Sequence, residues 1–221
     1  MRLHFKPGQK PKIPDADQNP VKQTKTENWT EDGKTSGFAG FFSNFLLIVG
    51  ALVFALLINQ FVFQSYEVDG SSMEPTLQNK DRLIIWKLPR TWSLLTHHDY
   101  QPKRGDVIVF HKPNGSSEQL IKRVIGLPGE RVVVRNGVIT VYNSANPTGI
   151  HPDEAPYGKN LAITNGEVDV NVGAGEIFVS GDNRIPGASL DSRSSLGNVP
   201  FEKVVGKLVL RLYPFNKFEA F

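Results

Sequence analysis

The chain changes character abruptly at Phe38. Residues 1–37 are polar, rich in Lys, Asp, Thr, Asn, Gln, Pro and Gly, and hold too few apolar side chains to build a core, so a disordered tail is expected there. The stretch from Phe38, FAGFFSNFLLIVGALVFALLINQFVFQSY, carries no charge. It is longer than the roughly 20 residues a helix needs to cross a bilayer, and it predicts one N-terminal transmembrane helix over 38–65. A cleaved secretory signal has an apolar region of about 7–15 residues ending at an A-x-A-like site. This segment is longer and leaves through Gln64-Ser65-Tyr66-Glu67, which argues against removal.

Beyond Tyr66 the pattern breaks into short β-rich runs punctuated by Gly, Pro and Asn: Arg82–Trp86, Asp106–Phe110, Leu120–Ile125, Arg131–Val134, Val138–Tyr142, Ile177–Ser180 and Lys207–Tyr213. Helical periodicity is absent. The segment RVVVRNGVITVY predicts a hairpin, because Asn136-Gly137 tolerates the positive φ angles of a type I′ turn. Asn143 to Gly175, with many Gly, Pro and Asn, predicts an irregular insertion between core strands. The expected architecture is mainly β, a domain over 66–221 preceded by one membrane helix.

Composition narrows the chemistry. In 221 residues there is no cysteine, which removes disulfides, thiolate catalysis and Cys-based metal sites. The histidines, His4, His97, His98, His111 and His151, have no ligand-type spacing, so neither metal nor cofactor is expected. His97-His98, in a polar stretch, is expected to be a solvated loop. The net charge of +3 is spread without a long basic run, which argues against nucleic-acid binding. Lys22, Lys25 and Lys34 precede the apolar run, whereas Glu67, Asp69 and Glu74 follow it before any lysine. That asymmetry predicts a cytoplasmic N-terminus and an exterior 66–221.

Directly after the apolar run stands YEVDGSSMEPTLQNKDRLI, with two adjacent serines, Ser71 and Ser72. A serine hydroxyl is a weak nucleophile unless a nearby base takes its proton. Without such a base, the pair before Pro75 would be a turn. The run EQLIKRVIGLPGE offers Lys122, which in an extended strand shares a face with Leu120 and Val124. Burial there would lower its pKa and free a neutral amine. The opposite register, with Ile121 and Ile125 inward and Lys122 in solvent, is equally open from the strand alone.

GSSMEPTL, RGDVIVF, IKRVIGLPGE and GDNR…SLDSRSSLG follow the apolar anchor in this order, and together they resemble the boxes of the type I signal peptidases, over about Phe38 to Phe215. The resemblance implies a coiled antiparallel β-sheet catalytic domain of signal-peptidase type, with Ser72 as nucleophile and Lys122 as general base. Strand parity agrees with Ser72: if the strand continues, Tyr66, Val68, Gly70 and Ser72 share one face, and Ser71 points away with Glu67 and Asp69. The Ser72 backbone N–H is the expected oxyanion donor. Some family members add a serine hydroxyl two residues earlier, where this chain has Gly70. Ser189 resembles the serine that hydrogen-bonds the lysine, and Asp182, Arg184, Asp191 and Arg193 resemble the supporting polar network. Four residues separate Arg184 from Ser189, where the family commonly has two. Tyr66, Val68, Met73, Leu77 and Ile121 fall at positions lining the family's pockets for small residues at −1 and −3.

The implied function is removal of signal peptides from exported preproteins by a single-pass protein of the bacterial cell membrane, with signal peptides and the lipid bilayer as partners. A self-cleaving Ser-Lys repressor would need an N-terminal DNA-binding helical domain in place of the apolar run. A tethered, inactive β-domain binding extended peptides by strand addition is the alternative outside enzymology.

Overall fold

A computed structural model describes residues 37–96 and 100–221, so the polar tail and the His97-His98 pair lie outside the described residues. Helix α1, Gly37–Phe61, exposes every side chain from Phe41 to Phe61, including Phe42, Leu46, Ile48 and Phe54. Such a surface suits lipid rather than water, and a 25-residue helix, about 37 Å long, exceeds a hydrocarbon thickness of about 30 Å. The helix ends at Phe61, ahead of the expected boundary at 65, because the next residues alternate. Strand β1, Phe63–Glu67, pairs antiparallel with β2, Arg82–Trp86, so that Phe63 faces Trp86 and Glu67 faces Arg82.

Helix α2, Leu88–Thr96, follows β2 where no helical periodicity was expected. It is short, and Pro89 sits in its first turn, where a missing N–H costs nothing. The remaining strands are β3 Val107–His111, β4 Gln119–Gly126, β5 Arg131–Arg135, β6 Val138–Asn143, β7 Asn146–Ile150, β8 Val168–Asn171, β9 Glu176–Ser180, β10 Val199–Pro200, β11 Val204–Tyr213 and β12 Glu219–Ala220. They form two antiparallel sheets. The larger has the order β1-β2-β11-β3-β4-β9-β10, with β12 added on β11, and the smaller has the order β7-β6-β5-β8. Asn136 and Gly137 carry φ of 53° and 83°, the paired positive values of the expected type I′ turn between β5 and β6. The segment expected to be an irregular insertion holds β7 and β8, which complete the smaller sheet on either side of that hairpin.

Three apolar clusters explain the strand sequences. β3 is buried on both faces: Val107 and Val109 pack with Met73, Leu77, Leu83, Ile85 and Leu208, while Ile108 and Phe110 pack with Val124, Ile177 and Val179. That is why VIVF is continuously apolar instead of alternating. β4 ties the sheets together, since Val124 belongs to the second cluster and Ile125 joins Val132, Val134, Ile139 and Val141 of the smaller sheet. Register shifts in β11, against both β2 and β3, bend the long strand and coil the larger sheet.

Candidate active site

The serine segment is a turn rather than a strand. β1 stops at Glu67, and Gly70 takes a φ of 103°, a conformation side chains resist, while its N–H donates to Asn79 Oδ1 at 3.0 Å. Met73 and Leu77 are fully buried and anchor the turn in the core, where the Leu77 N–H donates to the Met73 carbonyl at 2.9 Å. The parity expected to orient Ser72 therefore does not operate. Its position comes instead from these anchors and from Asn183, whose backbone N–H donates to the Ser72 carbonyl at 3.0 Å and whose side-chain amide donates to the Ser71 carbonyl at 3.1 Å.

Lys122 is 2% exposed. Its face on β4 was open in the sequence, and the fold removes the choice, because both faces of the strand from Lys122 to Gly126 are buried. Its Nζ lies 2.7 Å from Ser72 Oγ and donates to the Ile121 carbonyl at 2.9 Å. Burial lowers its pKa from 10.5 to about 8, even though Asp191, Asp182 and Glu118 pull the other way and Arg193 adds only a little to the depression. A neutral amine so placed keeps an N–H on Ile121 and turns its lone pair to the serine proton.

Two buried ionic groups hold this pair. Asp182 accepts from Arg123 Nε at 2.9 Å, from Arg123 Nη2 at 2.6 Å and from the Thr76 hydroxyl at 2.5 Å, so it joins the serine turn to the strand bearing Lys122. Arg123 also stacks on Tyr157, 4.3 Å from the ring centroid. Asp191 accepts from the Gly181 N–H at 2.8 Å and from Arg193 Nη2 at 2.7 Å. Burial raises the Asp191 pKa, but Arg193, the Gly181 N–H and the nearby Ser189 hydroxyl outweigh it and hold the carboxyl below its ordinary value. Arg184 joins the same network, since its Nε donates to the Gly181 carbonyl at 3.0 Å, and it also reaches beyond the site. Fully buried, it binds Asp153 at 2.5 and 2.8 Å and Thr164 at 2.5 Å, clamping the segment between β7 and β8.

Ser189 was expected to bond to Lys122. Its hydroxyl is buried and forms no hydrogen bond with the lysine; it packs against Gly181 instead. A Cβ at Gly181 would stand 2.2 Å from Ser189 Oγ and 2.4 Å from the Ser72 carbonyl, so only glycine fits there.

Beside the Ser72–Lys122 pair lies a cleft of about 150 Å³, lined among others by Tyr66, Val68, Leu83, Val109 and Ile121. Three of the five expected pocket residues thus meet there. Met73 and Leu77 do not; they lie in the apolar cluster that also contains Val68, Leu83 and Val109. Two strand edges flank the cleft. Among the described residues β1 pairs only with β2, and β4 pairs with β9 only from Arg123 onward, which leaves one edge of Gln119–Lys122 open there. The roles of Asn183, Thr76 and Arg123 escaped the sequence. The one available signal was the consecutive charges Lys122-Arg123 inside an apolar strand, since a second buried charge demands a buried partner. A larger groove of about 630 Å³, over Ile139, His151 and Ile163, contains neither Ser72 nor Lys122.

Comparison with known proteins gives a consistent result. A family model described as signal peptidase, peptidase S26, matches residues 42–213. Signal peptidase I T of Bacillus subtilis (strain 168) is 33% identical over 174 residues, covering 77% of this chain and 84% of its own. Probable signal peptidase I-1 of Synechocystis sp. is 35% identical over 181 residues, covering 79% and 83%. Signal peptidase I of Bacillus caldolyticus is 39% identical over 171 residues, covering 72% and 84%. The crystal structure of a signal peptidase I from Enterococcus faecalis V583 aligns with a TM-score of 0.39 at 30% identity, covering 50% of this chain and 99% of that one.

Proposed function

The chain belongs to the signal peptidase family, peptidase S26, as a serine endopeptidase that removes signal peptides, and from that premise we propose that Ser72 is its nucleophile and Lys122 its general base. The observation that carries the assignment is the 2.7 Å approach of Lys122 Nζ to Ser72 Oγ around a buried, pKa-lowered amine. Neutral Lys122 takes the Ser72 proton as Oγ attacks the scissile carbonyl. The resulting lysinium gives that proton to the departing amine, which leaves as the new N-terminus of the mature protein. Water then attacks the acyl-enzyme with Lys122 again as base, and the signal peptide departs with a free carboxylate. The Ser72 backbone N–H is the donor for the tetrahedral oxyanion; Gly70 offers no side-chain donor beside it.

The precursor binds as an added strand between the open edges of β1 and of Gln119–Lys122, where backbone hydrogen bonds hold it and Tyr66, Val68 and Ile121 limit side-chain size. Asp182 and Asp191, with Arg123 and Arg193, position the pair without touching the substrate. The helix α1 crosses the bilayer, the N-terminus is cytoplasmic and the β domain lies outside, a topology supported by the apolar surface of α1 and the charges around it.

Cleavage of a preprotein in detergent tests the assignment. Ser72→Ala and Lys122→Arg are expected to lose activity by several orders of magnitude, because a guanidinium stays protonated and cannot act as a base. Substantial cleavage by Lys122→Arg would reject the dyad.

A further inference from the structure

We propose that α2 is an interfacial helix whose Leu88, Trp92 and Leu95 side chains enter the bilayer surface from which α1 emerges; the proposal rests on the reading of α1 as a membrane span. These three residues recur at i, i+4 and i+7, which places them on one face of the helix. Among the described residues they are 38%, 62% and 70% exposed, so Trp92 and Leu95 stand largely uncovered and Leu88 partly so. The side of α2 that meets the domain is polar: buried Ser93 accepts the Tyr100 N–H at 3.0 Å.

The position of α2 identifies what covers that face. Its first turn is hydrogen-bonded to the end of α1, since the Thr91 hydroxyl donates to the Phe61 carbonyl at 2.9 Å; the Lys87 N–H, just before α2, donates to the carbonyl of Val62, just after α1, at 2.8 Å. Both lie within Leu46–Phe221, which forms one compact unit. Where α1 leaves the hydrocarbon, α2 is therefore one hydrogen bond away. Phe63 and Trp86, a cross-strand pair in β1 and β2, are exposed as well and extend the apolar surface between the two helices along the chain. From Arg82 to His98 the sequence has Arg82, Lys87 and Arg90 and no acidic residue, the charge an anionic headgroup layer attracts. Tryptophan with flanking cations is the composition of a membrane interface.

The test uses the full chain in phosphatidylglycerol-containing vesicles, with Trp29→Phe and Trp86→Phe leaving Trp92 as the sole indole. Quenching of Trp92 by brominated acyl chains, with little quenching by aqueous acrylamide, is expected. The double variant Trp92→Ser, Leu95→Ser should cleave a short soluble peptide at the normal rate and a vesicle-bound preprotein on the order of tenfold more slowly, as expected from removing two apolar anchors. Free access of acrylamide to Trp92 would overturn the proposal, as would shielding from both quenchers, which would mean that a second copy or another protein covers the face. Alkaline washing of the same vesicles separates the failures. Release of the chain would reject the span and this proposal together, whereas retention with Trp92 in water rejects the proposal alone.

Discussion

A lysine buried as deeply as Lys122 is a stability cost accepted for chemistry. The unfolded chain keeps its lysine protonated up to about pH 10.4. In the folded chain burial lowers the pKa to about 8, so between these values the unfolded state binds more protons and stability rises with pH; below about 8 the full penalty stands. Two outcomes follow from one group. On the proposed dyad the neutral amine is the base, so kcat/KM should rise with pH through a limb near 8 and flatten above it, as a pH series on a peptide substrate would reveal. Lys122→Met keeps the length and removes the charge. It should abolish cleavage yet stabilise the fold at pH 7 by on the order of 2 kcal/mol, measured by thermal or denaturant unfolding. A variant that lost both activity and stability would mean the ammonium is fully satisfied where it lies.

At the level of elements, β4 is the part on which the site depends, and its sequence was only half informative. The alternation and apolar runs of β2, β3, β5, β6 and β9 were legible because each buries at least one face in one of the three apolar clusters. β1 was hidden, because its phenylalanine and tyrosine continue the apolar text of α1. β7 was hidden because Pro147 and Gly149 interrupt it and it carries no period, and β8 because its alternation, Val168 to Asn171, lasts only four residues. Ser72 and Lys122, and Asp182 and Asp191 beside them, were named from motif order, but the partners Thr76, Arg123 and Asn183 were not. Asp182 meets Thr76 across 106 residues and Arg123 across 59, distances at which no local pattern speaks. The expected lysine contact of Ser189 did not form: its hydroxyl packs against Gly181 instead, a contact that no local pattern around Ser189 specifies. The Asp182 junction gives a sharp expectation. Asp182→Asn leaves Arg123 buried without its counter-charge and should destabilise by about 3–5 kcal/mol. Cleavage measured below the lowered Tm should fall as well, since Thr76 no longer ties the serine turn to β4.

For the molecule as a whole, the topology predicts which parts a protease reaches. Added to intact cells, or to spheroplasts where an outer barrier exists, protease should digest the domain from Tyr66 to Phe221; protection until lysis would reverse the orientation. With α1 in the bilayer, a single residue, Val62, separates it from β1, and Tyr66 at the cleft is the fifth residue after Phe61. Five extended residues reach roughly 17 Å at most. On the proposed topology the domain has almost no tether, and the height of the cleft above the hydrocarbon follows from covalent geometry. Seen from a precursor anchored in the same bilayer, the enzyme is a depth gauge: a bond with acceptable side chains is out of reach if it lies too near its own apolar segment or too far beyond it. On that reading, selection of the cut is a measurement of length made against the membrane plane, with the shallow pockets choosing among the few bonds that arrive at the right altitude.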